Sequence, residues 1–183
     1  MLVPVIMMTS LPADRESTLS PTGPRSRQPP AFTAGRLSVA FTWAGDRWQH
    51  AVTIDGRPLA TSLEHTADGR DPEWPASPPL VELSTASTGA GLAVLGVGRA
   101  GRSHYSASFT PLVAEPDTVL VEIACRVSEP PAWLGSTYVM AGRPVRIVAA
   151  PPETGPPVTV RWAYTAGPAG LFPLPPTATD TGR

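Results

Sequence analysis

Alternation of apolar and polar side chains, with no helical period, runs through the middle of this chain. Leu37, Val39, Phe41 and Trp43 alternate with Arg36, Ser38, Ala40 and Thr42, the period-two pattern of a strand with one buried face. Ala44, Gly45 and Asp46 turn the chain into a second run, in which Trp48, His50, Val52 and Ile54 share a face. Asp55-Gly56 then predicts a tight hairpin, because a type I′ turn needs positive φ at both central residues and these two types tolerate it. A short strand over residues 57–63 follows, and residues 80–85 form the next one, reversed by Ser87-Thr88-Gly89-Ala90.

The central stretch, residues 91–109, predicts an apolar strand, a glycine-rich turn carrying Arg99 and Arg102, and an alternating strand. In that last strand Ser103, Tyr105, Ala107 and Phe109 face one way, and His104, Ser106, Ser108 and Thr110 the other. The clearest strand covers residues 119–127, with Val119, Val121, Ile123, Cys125 and Val127 on one face and Leu120, Glu122, Ala124 and Arg126 on the other. Residues 136–140 and 144–149 pair across Ala141-Gly142-Arg143, and Val158, Val160, Trp162 and Tyr164 mark the last strand. About eight to ten short strands, spaced by roughly 8–12 residues, predict an all-β, single-domain antiparallel β-sandwich, with a partly open β-barrel as the alternative.

The flanks break this rhythm. Pro21, Pro24, Pro29 and Pro30 interrupt the N-terminal segment, and such a composition buries too little surface to offset its ordering entropy. Residues 1–34 are therefore expected to be a disordered arm, 35–165 the sandwich, and 166–183 a disordered Pro/Gly-rich tail. Within the tail, Leu174-Pro175-Pro176-Thr177-Ala178 resembles a sortase sorting signal with alanine in place of glycine. That family's pattern continues into a hydrophobic span and a basic stop, whereas this chain ends five residues later, so anchoring is not expected.

Composition narrows the function classes. The 24 prolines and 16 glycines among 183 residues suit many turns and short strands. All 14 basic side chains are arginine and asparagine is absent, as expected of a GC-rich genome. The net charge is −1 with both signs interspersed, which leaves no electrostatic footprint for nucleic acid or an anionic membrane surface. Cys125 is the sole cysteine, so neither a disulfide framework nor a cysteine-rich metal site can form. The apolar N-terminus lacks a basic n-region, contains Pro4 and is too short to span a bilayer. A cytoplasmic protein is expected.

Candidate chemistry is sparse. Residues 96–101 match G-x-G-x-x-G, with Glu122 about twenty residues on, but that mechanism needs a helix to begin at the last glycine. Alternation continues there instead, so no dinucleotide and no other cofactor is expected. Ser103 and His104 are adjacent on a strand, hence on opposite faces, and cannot form a nucleophilic pair. His50, His65 and His104 have no local metal-ligand spacing. Trp43 and Trp162 fall in step with core positions. Trp74 lies in the long interruption over residues 64–79, where it is expected either to plug a sheet end or to contact a partner, and Trp133 sits in the proline-marked connection over 130–135.

The binding residues predicted are Trp74, Arg99, Arg102, His104 and Trp133. The function they suggest is a non-enzymatic interaction or accessory module for a protein or small-ligand partner. One alternative is a small hydrolase or sugar-processing enzyme in which His104 works with Glu122 or Asp71; another is a structural subunit of a larger assembly.

Overall fold

The computed structural model describes residues 30–65 and 74–175. Every regular element among them is a strand. In chain order these are β1 (Ala31–Ala34), β2 (Leu37–Trp43), β3 (Trp48–Ile54), β4 (Arg57–Ser62), β5 (Glu82–Thr88) and β6 (Gly91–Ala100), then β7 (Ser103–Pro111), β8 (Val119–Val127), β9 (Gly135–Met140), β10 (Arg143–Val148), β11 (Val158–Gly167) and β12 (Gly170–Pro173). They form two antiparallel six-stranded sheets, ordered β1-β2-β3-β4-β9-β10 and β12-β11-β8-β7-β6-β5. The sheets stack face to face without closing into a barrel, and the architecture is a β-sandwich.

The alternating faces meet in the middle. Leu37, Val39, Phe41 and Val52 of the first sheet pack against Val94, Phe109, Val121, Ile123 and Trp162 of the second, all at most 6% exposed; each such side chain contributes about 1.5–3 kcal/mol when fully buried. Phe41 meets Phe109 edge to face at 5.1 Å between ring centroids. The Asp55-Gly56 hairpin has φ of +48° and +74°, as a type I′ turn requires.

The sandwich reaches beyond the bounds expected of it. Part of the presumed arm is strand β1, because Phe32 is 5% exposed in the core and pairs with Val39. Part of the presumed tail is the end of β11 together with β12, where Gly170, at φ +126°, permits the chain to fold back and pair Thr165 with Phe172. Among the described residues the strands accordingly number twelve, above the eight to ten anticipated. Trp43 is also displaced from its expected place: at the end of β2 it is 46% exposed and leans edge-on against Trp48. Asp71, Thr177 and Ala178 lie outside the described residues.

The glycines of residues 96–101 do not together form the glycine-rich turn expected of them. Gly96 and Gly98 are in the body of β6, and the turn begins only at Gly101, with φ +52°. Their smallness is required by close approach. A Cβ on Gly98 would overlap the Pro79 carbonyl oxygen, and one on Gly96 would stand 2.8 Å from Leu80 Cδ1. The buried segment over residues 74–80 crosses there from one sheet to the other. Leu80 O accepts from Trp48 N at 2.7 Å on the first sheet, and Val81 N donates to Val97 O at 2.9 Å on the second. Ser77 fastens the same segment to β9: its Oγ donates to Thr137 O at 2.9 Å and accepts from Thr137 N at 3.0 Å.

Candidate functional site

Register across the second sheet brings distant residues into rows on its outer face. Arg99 on β6 pairs with His104 on β7, His104 with Arg126 on β8, and Arg126 with Thr159 on β11. The two arginines thus stand two strand spacings apart, about 10 Å at the backbone, with the imidazole between them. The next row runs Val97, Ser106, Ala124 and Arg161, and the one after it Leu95, Ser108, Glu122 and Ala163. Small side chains at Ser106, Ala124 and Ala163 leave a depression between the β6 residues and Arg161, a cavity of about 380 Å³. Leu95 and Val97, 41% and 48% exposed, form its apolar wall.

None of Arg99, Arg102, Arg126 or Arg161 makes an ion pair within the described residues; the arginines that do are Arg36 and Arg47. Glu122 is the acidic residue in the depression, and Ser108 Oγ donates to its Oε2 at 3.4 Å. His104 is four residues along β8 from Glu122 in register, about 13 Å at roughly 3.3 Å per residue, which puts an acid–base pair between them out of hydrogen-bonding reach.

Arg102 is exposed in the β6–β7 turn, where its carbonyl accepts from Ser128 Oγ at 3.2 Å. Ser128 begins the connection that carries Trp133, so the turn and this connection occupy the same end of the sandwich. Trp133 is half-buried, with the Arg146 guanidinium 5.4 Å from its ring centroid, and its Nε1 is buried with no hydrogen-bond partner. Trp74 is 6% exposed in the core. Arg99 and His104 are brought side by side, Arg102 lies just beyond them, and Trp74 is separated from their exposed face by its burial.

Between the sheets lies a polar cluster that sequence reasoning missed. His50 Nε2 is 2.6 Å from the Tyr138 hydroxyl, which is 2.6 Å from the Tyr164 hydroxyl. Ser62 Oγ accepts from His50 N at 2.9 Å and donates to Glu64 Oε1 in a short hydrogen bond. Burial pushes His50 down to about 3 and Glu64 up to about 7, the latter against the opposing effects of its Ser62 hydrogen bond and the Arg47 charge. Burial likewise raises both tyrosines, Tyr164 to about 12. His50 is therefore a neutral imidazole. Its Nδ1 and Glu64 Oε2 are buried without hydrogen-bond partners. The available signal was His50 itself, in step with Val52 and Ile54 on a face destined for the core.

Among the described residues no group of three or more His, Cys, Asp or Glu side chains is arranged to hold a metal ion, and no helix is long and apolar enough to cross a membrane. Comparison with known proteins found no matching family model, no matching curated protein and no matching solved structure.

Proposed function

We propose that this β-sandwich is a non-enzymatic binding module whose recognition surface is the outer face of the second sheet. The observation that carries this reading is the row Arg99–His104–Arg126 beside the depression closed by Arg161, with no counter-ion for any of the three guanidiniums among the described residues. Exposed arginines left unpaired beside a concave, partly apolar floor are suited to a partner that supplies acceptors and excludes water from them. Arg102 extends the same surface around the turn. Trp133, with its ring covered by Arg146, belongs to the neighbouring connection and shapes the rim. Trp74 supports the surface from inside, through the crossing segment that backs Gly96 and Gly98.

The test is affinity capture from the protein's own cells, with wild type and the Arg99→Glu/Arg126→Glu variant as baits. The variant is expected to retain the far-UV spectrum and the melting temperature while losing the specifically captured partner. An identical set of captured molecules with both baits would remove this face from consideration.

A further inference from the structure

We infer that β5, the edge strand of the second sheet, pairs antiparallel with β5 of a second copy of this chain, so that the two second sheets run into one another. The sandwich has four sheet edges, and three of them are blunted. β1 is four residues long and follows Pro30, β12 is four residues long and ends at Pro173, and β10 carries Pro144 between Arg143 and Arg146. Short length, proline and charge are the devices that keep an edge from recruiting another strand. β5 lacks all three over most of its seven residues: after Glu82 it reads Leu83-Ser84-Thr85-Ala86-Ser87-Thr88, with no proline and no charge.

The free side of β5 is also open. Among the described residues no main-chain group outside β6 bonds to the backbone of residues 83–87. Past Leu83 the strand is bare on both faces: Thr85 and Ser87, which share the side of their pairing partners Val94 and Leu92, are exposed, as are Ser84 and Thr88 on the outer face. The first sheet stops short of them, since its own edge, β1, lies against β6.

A second copy is the occupant that suits this strand. A two-fold axis through Thr85, perpendicular to the sheet, sets Thr85 opposite itself, Ser84 opposite Ala86, Leu83 opposite Ser87 and Glu82 opposite Thr88. The two carboxylates then stand six residues apart, about 20 Å, where salt screens their repulsion. Every other pair is uncharged, and the hydroxyls of Ser and Thr are suited to cross-strand hydrogen bonds. A strand charged along its length would find no answering charge on residues 83–88, whereas β5 matches itself. With each first sheet ending beneath β6, the two β1 edges stay three strand spacings apart, about 14 Å, and the sandwiches do not collide. Strand pairing of this length buries less than a standard interface, so the dimer is expected to be weak.

Sedimentation velocity of the full chain, from about 10 μM to about 1 mM, is expected to show a concentration-dependent shift from monomer to dimer. Thr85→Lys and Thr85→Glu, at an exposed position, each bring like charges together on the axis. Each should abolish the shift and keep the wild-type melting temperature. Mixing the two variants in equal amounts should restore the dimer, because opposite charges then meet. A wild type that stays monomeric throughout overturns the pairing. A dimer that persists in both variants also overturns it, by placing the contact on another surface, and failure of the mixture to associate overturns the axis at Thr85.

Discussion

Replacing Glu64 by glutamine should change the pH dependence of stability in a way set by two buried groups with opposite leanings. In the folded chain Glu64 keeps its proton up to about pH 7, because burial opposes the carboxylate; the ordinary value is 4.5. Between these limits the folded state binds more protons than the unfolded one, so stability falls as pH rises. At about 1.4 kcal/mol per pH unit the loss reaches about 3 kcal/mol by pH 7. His50 acts in reverse. It stays neutral down to about pH 3 against an ordinary 6.5, so the unfolded state binds the additional proton in that window and stability rises with pH.

From pH 4.5 to 6.5 the two slopes oppose one another at nearly equal size, and their sum is flat. Glu64→Gln removes one of them and keeps an oxygen to accept from Ser62 Oγ. Urea denaturation followed by tryptophan fluorescence, at half-unit steps from pH 4.5 to 8, gives a difference curve in which groups common to both proteins cancel. That curve should climb by about 3 kcal/mol in favour of the variant between pH 4.5 and 7, and then level off. Parallel stability curves would refute the assignment of Glu64 as a buried acid.

Two further substitutions probe the interior. Tyr138→Phe strips the hydroxyl that joins His50 Nε2 to Tyr164, leaving the imidazole without a side-chain partner, and should cost about 1–3 kcal/mol in denaturant titrations; a loss below about 0.5 kcal/mol would mean the relay contributes nothing. Gly98→Ala drives a methyl into the Pro79 carbonyl, whereas Gly155→Ala meets nothing within 4 Å. The first should lower the melting temperature by several degrees and the second should leave it within a degree or two, so equal melting temperatures would show that the crossing segment yields freely.

The strands over residues 37–43, 48–54 and 119–127 were legible because each buries one face against the opposite sheet, and burial writes itself into the sequence with period two. Phe32 and Phe172 escaped because their strands are four residues long and lie next to proline, too short for a period to show. The glycines of β6 were visible as unusual, but their cause is a main-chain segment some twenty residues earlier. Arg99 and His104 could be named from local pattern alone. Their alignment with Arg126 and Arg161 depends on registers set between β7, β8 and β11, which no local window contains. The His50 cluster draws on β3, β4, β9 and β11, and only its histidine, out of keeping with its apolar neighbours, was detectable beforehand.

Fastening of the 74–80 segment to both sheets separates two jobs that one connection would otherwise share. Ser77, Leu80 and Val81 hold the downstream end, while Ser62 and Glu64 hold the upstream end beneath Arg47. Each end is therefore held by its own hydrogen bonds, so that loss of one set, as in Ser77→Ala, leaves the other in place.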